Sequence, residues 1–209
     1  MRPVFARHSL AAILGLVVAA SAGSAHAGGA SPGQAAPDFT LPDLDGKPVH
    51  LGDLKGKVVV LEWFNPECPY VHASHEKGSL VGLAKKVSAK GVVWLAINSG
   101  APGKQGAGVD KSRAGARAFG LEHPILLDPT GQVGHAYGAT NTPHLFVIGK
   151  DGVLAYKGAI DNSPDGEGAS PQGGKLVNYV EQALEALGSG AAVPTRETRA
   201  YGCSVKYGS

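Results

Sequence analysis

Residues Val58 to Phe64 read V-V-V-L-E-W-F. A run this short, β-branched and aromatic is best satisfied as a strand buried on both faces of a central sheet. The chain then turns at Asn65 and Pro66 and reaches Cys68, one residue before a proline. Pro69 lacks an N–H and has the fixed φ that favours a first helical turn. Cys68 is therefore expected at a helix N-terminus, where unpaired backbone N–H groups and the macrodipole favour the thiolate, the form that attacks disulfides and peroxides.

The segments around this unit predict an α/β domain. Asp45-Gly46-Lys47 marks a hairpin before the Val58 strand. A helix is expected over His72 to Lys90, ended by Gly91. Residues 92–97 then read as a second buried strand, parallel to the first through a right-handed crossover. The glycine-rich stretch from Asn98 to Gly108 is a loop whose glycine spacing does not match a phosphate-binding loop. A helix from Asp110 to Phe119, capped by Asp110, precedes a short strand at Pro124 to Leu127 and a helical segment at Gly131 to Tyr137. His144 to Ile148 and Val153 to Lys157 pair as antiparallel strands, and Leu176 to Leu187 forms a last amphipathic helix. Pro194 starts a polar tail that carries Cys203, expected to be mobile.

The stretch A-P-D-F-T-L-P-D-L-D-G-K-P-V-H-L-G-D-L-K-G-K at Ala36 to Lys57, followed by Cys68 and then by Thr142-Pro143 before His144-Leu145-Phe146-Val147-Ile148, resembles the thioredoxin superfamily. The likeness is to its redoxin branch, which includes the AhpC/TSA proteins and exported thioredoxin-like reductases. The resemblance implies a thioredoxin-like fold, a central mixed sheet flanked by helices with an N-terminal β-hairpin. It also implies thiol-based redox chemistry, and a cis Pro143 that, with Thr142, holds substrate against Cys68. Glu62 stands six residues before Cys68, like the buried acid that moves protons in thioredoxins. Burial would raise its pKa toward neutrality; the alternative is a glutamate facing solvent at a strand edge.

The departures from the pattern leave several readings open. Val71 stands where a thioredoxin has its second cysteine, so Cys68 has no partner within its own turn. Cys203 is the candidate resolving thiol, unless the two cysteines form a plain structural disulfide. Asn65 occupies the position where peroxidatic sites carry threonine or serine, and it is a candidate donor to the sulfur, while Glu67 would oppose the thiolate slightly. His72 and His75 follow Cys68 at helical spacing, either lowering its pKa or standing as ordinary polar residues at the site mouth. Three functions compete: a thiol–disulfide oxidoreductase acting through Cys68, a thiol peroxidase, and a non-enzymatic protein. The last is either an inactive binding module or a Sco-like copper carrier using Cys68, His72 and His135 or His144. No cofactor is expected for the first two.

Arg2 and Arg7, the apolar run Leu10 to Ala20 and the small-x-small pattern Ala25-His26-Ala27 read as a signal peptide over residues 1–27, cleaved after Ala27. A periplasmic or secreted protein is expected. Its removal takes two of the 19 basic side chains and none of the 17 acidic ones, which leaves no net charge. That balance gives no basic footprint for nucleic acid, and no later stretch approaches the ~20 apolar residues of a membrane span. Residues 28–188 form the expected redoxin domain and 189–209 the tail. Its partners would be protein thiols and disulfides or a peroxide, together with an external reductant.

Overall fold

The computed structural model describes residues 29–208. The signal-peptide reading falls on residues 1–27, outside the described residues. Strands β1 (Thr40–Pro42) and β2 (Pro48–His50) form the expected hairpin, with Asp43 bracketing its turn by accepting from the Asp45 and Lys47 amides at 2.8 and 2.9 Å. The main sheet contains β3 (Val59–Trp63), β4 (Val93–Asn98), β5 (Ile125–Leu127), β7 (His144–Ile148) and β8 (Leu154–Gly158) in the order β5-β4-β3-β7-β8. The β3–β4 and β4–β5 pairs are parallel, and β7 runs antiparallel to both its neighbours, making the sheet mixed.

Every residue of β3 is buried, as its composition requires. The pleat divides the apolar run between two layers. Val59, Leu61 and Trp63 pack with Phe39, Leu41 and Tyr137, while Val58 and Val60 pack with Leu83, Val87, Val180 and Ala183. Tyr137 ends α4 (Gln132–Tyr137), and the second set comes from α2 (Leu83–Ser88) and α5 (Tyr179–Ser189). A smaller cluster of Phe64, Cys68, Val71, Ala96 and Ile125 surrounds the end of β3 and places the sulfur inside the protein. Among the described residues, no helix is long and apolar enough to cross a membrane.

Three local expectations need correction. The helix expected over 72–90 is two helices, α1 (Pro69–Glu76) and α2, broken around Gly78. Both Lys77 and Gly78 donate to the Ala73 carbonyl, and a Cβ on Gly78 would sit 2.3 Å from the Gly166 carbonyl oxygen. The break thus makes room for a loop that lies far away in the sequence. Helix α3 (Val109–Phe119) starts at Gly108, so Asp110 lies in its first turn and complements the dipole without being the cap. Replacing Gly78 with alanine should displace the Gly166 loop and remove the Ser74 hydroxyl bond to Gly166, now 3.3 Å. Denaturant melts should show a loss of about 1–3 kcal/mol.

The third correction concerns the tail, which is not loose. Lys157 bridges the tail to the free edge of β8, its amide donating to the Arg196 carbonyl at 3.0 Å and its carbonyl accepting from the Thr198 amide at 3.1 Å. Further on, β9 (Cys203–Ser204) pairs antiparallel with β6 (Asn141–Thr142), setting Cys203 opposite Thr142.

Candidate active site

Cys68 caps α1 with extended backbone (φ −83°, ψ 123°), and Pro69 occupies the first helical position. Its amide donates to the Asn65 carbonyl at 3.1 Å, and its carbonyl accepts from His72 at 3.0 Å. The side chain is fully buried, unlike that of the partly exposed Cys203. Neither cysteine is in a disulfide. The Cys68 thiol donates to the Thr142 carbonyl at 3.0 Å, and the Thr142–Pro143 peptide is cis. Through β6 and β9 the Cys203 thiol is also brought into hydrogen-bonding reach of Cys68.

These neighbours separate the two sulfurs electrostatically. Burial pushes the Cys68 thiol up, but the Cys203 thiol, the Thr142 hydroxyl and the amides of Val71 and Cys203 favour its thiolate, and the net effect holds it below the ordinary 9.0. Val71 N–H leans toward the sulfur without reaching full capping geometry. Cys203 is pushed up to about 11, by burial first and then by its hydrogen bond to Cys68 and the negative charge there. The first proton therefore leaves Cys68, and Cys203 keeps its own as a donor.

Glu62 is buried and does not face solvent at a strand edge, but its ionisation runs opposite to the rise that burial alone would give. Burial pushes the carboxyl up, and the charge and hydrogen bond of His75, aided by Trp94, more than reverse this, leaving Glu62 below its ordinary value. His75 bonds Oε1 at 2.7 Å and the Trp94 indole donates to Oε2 at 3.0 Å. His75 itself is only 4% exposed and stacks on Phe119 with ring centres 5.2 Å apart. Sequence spacing brought His75 into view as a neighbour of the sulfur; its partner is instead Glu62.

The other candidates have local duties. Asn65 does not reach the sulfur: its Oδ1 accepts from the Glu67 amide at 2.9 Å and its Nδ2 donates to Gln105 at 3.4 Å, tying the turn to the loop after β4. The Glu67 carboxylate is engaged by Lys111 and by the Gly106 amide, which hold its pKa down. His72 turns outward, bonding the Pro66 carbonyl at 2.8 Å and Glu76 at 3.2 Å. His135 stacks on Tyr207, and the buried His144 accepts from the Thr140 amide, its pKa held at about 4 by burial and Lys157. Among the described residues, no three His, Cys, Asp or Glu side chains converge as a metal site, so the copper constellation does not assemble.

The chain is similar to several known proteins. The Redoxin family model matches residues 31–171. Thiol-disulfide oxidoreductase ResA of Geobacillus thermodenitrificans is 35% identical over 111 residues, which are 53% of this chain and 59% of that protein. The match thus spans less than two thirds of that curated relative. An uncharacterized conserved protein of Geobacillus kaustophilus superposes with a TM-score of 0.72 at 32% identity, covering 85% of this chain and 92% of its own. A hypothetical protein of Sinorhizobium meliloti superposes with a TM-score of 0.74 at 26% identity, covering 86% and 96%. A mixed five-stranded sheet, a cysteine at the head of the helix after its central strand, a cis proline opposite and a family match over most of the described chain lead to one assignment: this protein belongs to the Redoxin family.

Proposed function

We propose that this protein is an exported thiol–disulfide oxidoreductase in which Cys68 is the nucleophile and Cys203 the resolving thiol. The observation that carries the reading is the meeting of a buried, acidified sulfur at a helix head with a second thiol presented by β9. The Cys68 thiolate attacks one sulfur of a substrate disulfide, forming a mixed disulfide and releasing a substrate thiolate that takes a proton from water. Cys203 then gives up its proton and attacks Cys68, and the second substrate thiol leaves. The products are a Cys68–Cys203 disulfide and a dithiol, two electrons having passed to the substrate. An external dithiol returns them.

The resolving step is timed by the same electrostatics. While Cys68 is a thiolate, its charge and hydrogen bond add to burial in keeping Cys203 protonated. Consuming that thiolate in a mixed disulfide removes both effects and releases Cys203 for attack. Thr142 and Pro143 line the substrate side, while Asn65 shapes the turn and Glu62, held ionised by His75, braces α1 against β3. Residues 1–27 would direct export, and 28–188 with the segment 189–209 would make up the working protein.

Cys203→Ser should accumulate mixed disulfides with substrate, visible as mass adducts on Cys68, and Cys68→Ser should accumulate none. Turnover of hydrogen peroxide with sulfenylated Cys68, and no reaction with disulfides, would instead assign the site to a thiol peroxidase.

A further inference from the structure

The edge of β6 beside Cys68 is already occupied, and the occupant is the protein's own tail. The side of Thr142 that faces β9 is a strand edge of the kind that takes up an extended peptide by main-chain pairing. Here Thr142 lies opposite Cys203, the Asn141 side chain donates to the Gly202 carbonyl at 2.9 Å, and the Val205 amide donates to Thr140 at 3.0 Å. The fit is close: Gly202 has φ +106°, and a Cβ there would meet the Thr142 carbonyl oxygen at 2.2 Å. With this segment in place Cys68 has no exposed surface. No substrate sulfur can approach it until something moves.

The tail is also the element best able to move. Its pairing is only two residues long, while β3, the central strand, is paired along its whole length on both sides. Beyond Cys203 it is held by the Val205 amide, by the Lys206 carbonyl, which accepts from the Ala101 amide at 2.8 Å, and at Tyr207, whose hydroxyl donates to the Ala139 carbonyl at 2.8 Å and whose ring stacks on His135 at 4.1 Å. Short, partly exposed pairings of this kind open far more readily than a buried central sheet.

We propose that residues 200–207 are a tethered stand-in for substrate: a partner protein presents an extended, disulfide-bonded cysteine segment that displaces this strap and pairs with Asn141 and Thr142. The strap then returns, carrying Cys203 back to resolve the mixed disulfide. The inference rests on the exchange chemistry proposed above. It deepens that reading by naming the partner as an extended peptide segment and the strap as its competitor. A segment adopting the strap's register meets the same Thr142 carbonyl, so a glycine before its cysteine is favoured.

The test uses the full chain in a Cys203→Ser background, adding Gly202→Ala, which forces a Cβ against Thr142, or Tyr207→Ala, which removes the far anchor. The probe is a synthetic peptide of residues 200–208 with its cysteine activated as a mixed disulfide, and the readout is the rate of adduct formation on Cys68. Both loosened variants should react at least tenfold faster than the background, and a peptide with valine in place of the glycine before its cysteine should react more slowly. Equal rates in folded variants overturn the strap. Hydrogen exchange of the unaltered reduced protein gives an independent reading that needs no redox step. The Val205 amide should exchange at least a hundredfold faster than the hydrogen-bonded amides of β7, and protection equal to theirs overturns the proposal. A Cys68 that reacts with no disulfide in any variant, beside a fast-exchanging Val205, removes the oxidoreductase reading and leaves the strap standing.

Discussion

His75→Ala should destabilise the protein by about 3–5 kcal/mol, the cost of leaving a buried charge without its partner, and lower the melting temperature by roughly 6–20 °C for a chain of this size. The Glu62 carboxyl is fully buried and, among the described residues, is hydrogen-bonded by His75 and the Trp94 indole at 2.7 and 3.0 Å, with His123 adding a smaller electrostatic effect. Removing the imidazole leaves burial as the dominant influence on Glu62. Its folded pKa then rises above the ordinary 4.5, where in the unaltered protein it lies below. The sign of the pH dependence follows from linkage. In the unaltered protein the stability from the pair is complete above pH 4.5 and is lost as pH falls through the lower folded value. In the variant the penalty is present at neutral pH and fades as acid protonates Glu62, so the two stability curves converge on acidification. A Glu62→Gln/His75→Ala double variant should recover part of the loss, because its buried amide carries no charge. Urea melts across the acid range measure all three, and a single variant within about 1 kcal/mol of the unaltered protein at neutral pH would refute the pairing.

What the sequence disclosed and what it withheld divide by distance along the chain. The strand at Val59–Trp63 and the cysteine capping α1 depend on neighbours a few residues away, so composition and proline chemistry expose them, whereas the cis Thr142–Pro143 bond was implied by the family resemblance alone. The Gly78 break was hidden because its cause is the Gly166 carbonyl, which reaches α1 only after folding. Glu62 was left between a buried acid and a solvent-facing edge, and His75 between a neighbour of the sulfur and an ordinary polar residue, because their pairing at 2.7 Å joins a strand to the next helix and spacing along the chain does not display it. The tail looked mobile because it is polar and glycine-bearing; those same properties let it lie as a strand against β6 and β8, where main-chain bonds do the holding. Asn65 was a candidate donor to sulfur by position, but an asparagine two residues before an amide closes its own turn first.

The two thiols should titrate in separate steps, Cys68 below 9.0 and Cys203 near 11, followed by the ultraviolet absorbance of thiolate in the reduced protein. Below the second step the Cys68 thiolate therefore predominates over that of Cys203. Alkylation rates would understate this, because the more acidic thiolate is intrinsically less nucleophilic and because Cys68 lies behind the strap. The substitutions move the steps in opposite directions. Cys203→Ala removes a donor to the Cys68 thiolate and raises the first step, while Cys68→Ala removes the negative charge beside Cys203 and lowers the second toward 9.0. Those opposite shifts distinguish a coupled pair from two independent cysteines. Two unshifted titrations, or Cys203 losing its proton first, would break the assignment of nucleophile and resolver, since the order of ionisation decides which sulfur attacks the substrate.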